Sequence, residues 1–289
     1  MESSAWGVPT VLVKAILYAA TLTASGAVFF LGYTGSLLLE KQRRRIQRVI
    51  GRLILASIVC TVVRVPMIAG DLAGEVSGMF DRTLVAMVWQ GGEGRAICLR
   101  LAGLALAAAA LFSRRRWLVL AIPGACFAAT SFAALGHTHA TSPDTGPILL
   151  VGAHLLSAAF WLGALLSLRL VACDAPPLEL GLVARRFSAL AAFVMAVLIV
   201  AGALLAWLLL GRVSDLWASP YARGLAIKIG FVCCLLAIAV FNKWHLTPRL
   251  LLNDARAALS LRRSIHAELA IAAAILLTTA TITSVIGPV

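Results

Sequence analysis

The sequence predicts an all-α integral membrane protein, a single bundle of about eight transmembrane helices with both termini on the outer side. Three observations carry this. First, 61% of the 289 residues are hydrophobic and 13% charged, with mean hydropathy +0.97. A water-soluble domain of that composition would expose large apolar faces. Second, the apolar residues form continuous runs of Ala, Leu, Val and Ile, long enough for a helix to cross roughly 30 Å of hydrocarbon. They lack the alternation of a β-barrel strand. Third, Lys and Arg gather on alternate connections, as the positive-inside rule requires.

The runs place spans at 11–38, 48–69, 95–112, 117–136, 147–171, 187–210, 223–242 and 265–286. The first follows "MESSAW", which has no basic residue, and exceeds the apolar region of a leader peptide, so it reads as a retained helix. The second is preceded by "LEKQRRRIQR" at 39–48, expected as a basic loop. Residues 70–94, "GDLAGEVSGMFDRTLVAMVWQGGEG", are too polar to span, and the "MFDRTLVAMVW" portion predicts an interfacial or re-entrant helix. "SRRR" at 113–116 turns the third span into the fourth, and Pro147 suits the first turn of the fifth. "DAPPLEL" breaks the chain within the expected basic loop 169–186, and 243–263 forms another basic connector.

The formal net charge of +13 divides unevenly along this layout. The basic side holds 17 Lys and Arg against five carboxylates, and the other side eight against seven. The basic loops are therefore assigned to the cytoplasm, and the charge calls for no nucleic-acid partner. Cys60, Cys98, Cys126, Cys173, Cys233 and Cys234 form no CxxC pair and lie in helices or at a cytoplasmic end, where thiols act as small hydrophobes.

Chemistry concentrates at "GHTHA" and the helix after it. Of five histidines, His137, His139 and His154 fall in the outer half. His154 lies seven residues beyond Pro147, about 10 Å below that point, where an imidazole needs a partner. A loop brings His137 and His139 to one side, and three imidazoles suit copper, zinc, nickel or iron. With an Asp144 carboxylate or sulfur from Met67, Met79 or Met87, the set suits copper in either oxidation state. The plainer reading makes the loop histidines solvated and His154 a packing residue. Ser157, Trp161 and Leu165 continue the His154 stripe, with Trp161 either beside the metal or in helix packing. Arg64, Arg100 and Lys228 lie at outer-leaflet depth, lining a hydrated cavity or snorkelling to headgroups. His245 and His266 belong to the cytoplasmic side, away from this cluster. No HExxH or GxSxG is present, so the chain does not read as an ordinary hydrolase.

"GHTHA", "HLLSAAFWLGALLSL", "ARRFSALA", "LAIKIGFVCCLLAIAVFNKWHLTPRL" and "LRRSIHAELAIAAAILLTTATITS", in that order, resemble the copper resistance protein D (CopD) family, most strongly over 136–287. "VWQGGEGRAICLRL" resembles that family's approach to its third helix. The resemblance implies a bacterial inner-membrane protein of copper handling that works with a periplasmic copper-binding partner of the CopC type. It also implies that His137, His154, Lys228 and the "NKWHLTPRL" block match family positions, with His139 an addition. The leading expectation is copper capture at His137, His139 and His154 and passage across the membrane. The alternatives are a b-type haem or copper oxidoreductase, with His154 as an axial ligand, and a membrane dock for a periplasmic copper carrier.

Overall fold

Helices form where continuous apolar runs leave the backbone no other way to satisfy its hydrogen bonds. The computed structural model describes residues 7–112, 115–135, 145–210 and 219–286, and those residues contain no strand. They form α1 (Gly7–Thr34), α2 (Glu40–Ala73), the short α3 (Arg82–Gln90), α4 (Gly92–Ala107), α5 (Leu118–Thr130) and α6 (Thr145–Ala172), then α7 (Pro177–Leu210), α8 (Pro220–Phe241) and α9 (Ala255–Thr281). Tighter 3₁₀ turns extend α4 to Leu111 and α5 to Leu135, whereas a π turn at Asn242–Leu246 carries α8 into a last helical turn ending at Leu251. Asp81 and Asp254 cap α3 and α9 through their carboxylates, and Ser219 caps α8 ahead of Pro220. Gly74, at φ 74°, closes α2 in the left-handed conformation.

Seven helices among the described residues are long and apolar enough to cross a membrane. The expected span at 117–136 is the exception, an apolar stretch confined to Leu118–Ala134. Of the four basic segments expected as connections, three are instead mostly helical. Residues 40–48 form the first turns of α2, only 173–176 separate α6 from α7, and 252–254 break the 243–263 connector. Lys, Arg, Gln and Glu are strong helix formers. A helix leaving hydrocarbon has no reason to stop where its hydropathy falls.

Polar contacts give the helix directions. At the basic end, Gln47 of α2 donates to the Ala110 carbonyl after α4, Arg45 and Lys41 pair with Asp174 after α6, and Arg186 of α7 donates to the Tyr33 carbonyl of α1. At the opposite end, Arg64 late in α2 meets Glu93 early in α4, Arg100 of α4 meets Ser131 after α5, and Lys14 of α1 donates to the Thr283 carbonyl after α9. Neighbouring helices therefore run antiparallel, and the start of α1 lies at the same end of the bundle as the close of α9.

α1 is the central post, packed on α2, α5 and α6. Glycine makes the approach to α6 possible: a Cβ at Gly26 would lie 1.7 Å from the Ala159 carbonyl oxygen, and one at Gly163 2.1 Å from the Ala27 nitrogen. Gly103 and Gly124 let α4 and α5 approach in the same way. With no water to drive helices together, such backbone contact supplies the dispersion that holds a membrane bundle. Thr21 of α1 and Ser57 of α2 share a buried hydroxyl bond of 2.6 Å. α7 and α8 differ, because their apolar windows are only 11% and 6% buried.

Candidate functional site

α6 begins directly after the segment carrying His137, His139 and Asp144, which lie outside the described residues. His154 sits nine residues into α6, roughly 13 Å along it. Its ring fills the space opposite Gly202 of α7, where a Cβ would come within 3.3 Å of Cε1 and 3.4 Å of Nδ1. The Leu198 backbone, one turn earlier on α7, lies beside the ring, and the Lys228 amine of α8 is near enough to act on it electrostatically. The imidazole is thus packed by α7 and within the electrostatic reach of α8. Nδ1 is buried beside the Leu198 backbone and forms no well-aligned hydrogen bond among the described residues. An unmet polar atom in such surroundings costs about 1–3 kcal/mol, a cost that a ligand or metal on the ring would relieve.

Trp161 lies two turns further along α6, against the Phe187 ring of α7 at 5.8 Å, with Phe160 stacked on the same ring at 5.6 Å. About 10 Å of helix separates it from His154. The structure therefore places it in the aromatic packing between α6 and α7. Met87 is exposed on α3, Met79 is half-buried in the turn before it, and Met67 is buried in α2.

A second polar group occupies the same end of the bundle, between α1, α2, α4 and α5. Arg64 and Glu93 form an ion pair of 2.5 Å with side chains 12% and 23% exposed. Arg64, Met67, Asp71 and Thr10 line a cavity of about 20 Å³, room for one water. Arg100 is fully buried, with its Nε donating to the Ser131 hydroxyl at 3.1 Å and its guanidinium 4.2 Å over the Phe132 ring. Tyr18 of α1 meets that ring edge-on at 4.7 Å. Ser131 and Phe132 belong to the last described turn before 136–144, so Arg100 anchors the base of the histidine-bearing segment. The terminal nitrogens of Arg100 have no partner among the described residues.

Two family models match the chain: copper resistance protein D over residues 181–282, and a copper resistance protein D-like N-terminal domain over residues 2–147. The chain belongs to the copper resistance protein D family. It is a multi-pass membrane protein of copper resistance. Neither the curated proteins nor the solved structures gave a match. In this copper resistance protein, His137, His139 and Asp144 fall within the N-terminal match, Gly202 and Lys228 within the other, and His154 between them. Among the described residues, no three His, Cys, Asp or Glu side chains converge on a point.

Lys14, Glu93 and Glu268 have no role in the sequence reading, and Asn242 enters it only as the first residue of "NKWHLTPRL". Lys14 is the one charge in the first apolar run and Glu268 the one carboxyl in the last, a signal that was present. Glu93 stands among glycines in "GGEG". Its role depends on Arg64, 29 residues away.

Proposed function

We propose that this copper resistance protein captures copper on the periplasmic side of the bacterial inner membrane, at a site built on His154 with His137 and His139, and passes it inward. The observation that carries this is the imidazole of His154: embedded in a span, faced by glycine, with a buried nitrogen that makes no well-aligned hydrogen bond among the described residues. It stands on the helix that directly follows two further histidines. Neutral imidazole nitrogens are good copper donors, and an unmet lone pair within the membrane is already desolvated for ligation.

The chain's own residues supply three things in this reading. His154 offers a donor below the surface, and Arg100, through Ser131 and Phe132, holds the base of the loop that carries the other two. Lys228 supplies a positive charge beside the ring, which keeps a bound cation from resting there too tightly. Asp144, Met79 and Met87 are the additional oxygen and sulfur donors on the same side. A copper carrier of the CopC type is the implied periplasmic partner, with both chain ends on that side, because the basic helix ends mark the cytoplasm.

Metal analysis of purified protein after copper loading tests this. His154→Ala is expected to lose the outer-site copper while the bundle stays folded; unchanged stoichiometry and affinity reject the assignment. A visible spectrum in the same experiment separates copper from haem, since a Soret band would signal the oxidoreductase alternative.

A further inference from the structure

The charge on the bundle is not balanced inside the membrane. Lys14, Arg64, Arg100 and Lys228 all lie within spans; at that end of the same helices the carboxylates are Glu93, paired to Arg64, and Asp71, lining the cavity beside it. A copper ion entering this protein adds positive charge to a region already rich in it. Moving a cation through such a bundle calls for another positive charge to leave.

Glu268 provides the site. It is 2% exposed, on α9, five residues beyond Arg263 and therefore about 7.5 Å deeper than the last basic residue of that helix. Its Oε1 accepts from Asn242 Nδ2 at 3.1 Å, and Asn242 Oδ1 in turn accepts from Ser264 at 2.7 Å. Asn242 opens the π turn at the end of α8, and its carbonyl accepts from the Thr247 hydroxyl at 3.0 Å. Single π turns inside α-helices are frequent at functional sites, because one extra residue lets the ladder shift.

Among the described residues no cation pairs with this carboxyl, Arg262 and Arg263 of its own helix standing more than a turn nearer the basic end. On α1, Lys14 is committed to the Thr283 carbonyl at the far end; on α6, Arg169 donates to His266 and Cys173. On α7, Arg186 donates to the Tyr33 carbonyl, and on α8, Lys228 lies beside His154. In the π turn, Lys243 is exposed and His245 stacks on Phe241, while beyond it Arg249 pairs with Asp254. An ionised carboxylate with one neutral hydrogen bond and no counter-ion is costly in hydrocarbon, so such a group holds its proton until its surroundings change.

We propose that Glu268 is the proton-carrying residue of the bundle, and that copper entering from the His154 side is exchanged for its proton. The step is a proton transfer: the O–H bond of the Glu268 carboxyl breaks, its electron pair stays on the carboxylate, and water at the basic end takes the proton. The new negative charge offsets the arriving cation. A shift of the π turn at Asn242 opens the path, since Asn242 both holds the carboxyl and begins the turn. The exchange rests on the copper reading above. The proton site stands on Glu268, Asn242 and Ser264 alone.

Infrared spectroscopy of the protein in lipid nanodiscs tests both parts. Wild-type protein is expected to show a protonated-carboxyl stretch at neutral pH that Glu268→Gln lacks. Copper addition is expected to bleach that band. Glu268→Gln keeps the shape and the Asn242 contact; Asn242→Ala is a second variant, expected to shift the band by removing its donor. A band absent from wild type, or retained in Glu268→Gln, overturns the proton site. A band that persists at full copper occupancy overturns the exchange. Wild-type protein that binds no copper, yet shows the Glu268 band falling as pH rises, rejects the copper reading and upholds the proton site.

Discussion

The two sides of the bundle are built differently. Around α1, 61% of the apolar window is buried, helices meet backbone to backbone at glycine pairs, and Thr21, Ser57 and Lys14 all have partners. At α7 and α8 the windows are 11% and 6% buried, and these consecutive helices make almost no contact with each other among the described residues. Instead α7 leans on α6, and α8 leans on α9. His154 lies at the junction of the two regions, on a packed helix but facing Gly202 and Lys228 of the open pair. The difference separates a backbone-packed core around α1 from two helices that present most of their apolar surface outward, and the proposed copper donor stands where the two meet.

Glycine substitutions test that contrast most severely. Gly163→Leu forces a side chain into the α1 backbone and is expected to cost several kcal/mol, seen as lost expression or a collapsed melting temperature. Gly230→Leu on α8, where a Cβ meets nothing within 4 Å, is expected to leave melting nearly unchanged. Equal losses in the two would erase the distinction. Arg64→Met should be next in size. It strands the Glu93 carboxylate in a partly buried position, at about 3–5 kcal/mol. Asp174→Asn at the basic end breaks only exposed pairs worth about 0–1 kcal/mol.

Gly202→Ala probes the junction itself. The new methyl meets the His154 ring at 3.3 Å, so stability should fall by less than about 1 kcal/mol while copper affinity changes measurably. An unaltered affinity would separate the ring from the site. The smallest effect on stability is expected from Lys228→Met, whose consequence is for binding: it removes a like charge near the proposed cation. Copper titration should show binding about tenfold tighter, the equivalent of ~1.4 kcal/mol.

The spans were legible because hydropathy reports directly on residues that must sit in lipid, and the Lys and Arg count located the basic end. Helix ends were not. "LEKQRRRIQR" carries no apolar signal, yet it folds as the start of α2, because helix propensity continues where hydropathy ceases. The span after "SRRR" departs the other way: its last residues, Ser131–Leu135, tighten into a 3₁₀ turn that meets Arg100. His154 stood out by composition, since histidine is rare here. What surrounds it did not, because Gly202 and Lys228 come from helices 48 and 74 residues further on. Arg64 with Glu93, and Asn242 with Glu268, are pairings across helices, which no local spacing announces.

X-ray absorption on copper-loaded protein counts the imidazoles bound to the metal and so reports on His154 itself. Wild type is expected to give a nitrogen shell with imidazole scattering, reduced by one imidazole or lost altogether in His154→Ala. The same imidazole count in both proteins would contradict the assignment of His154.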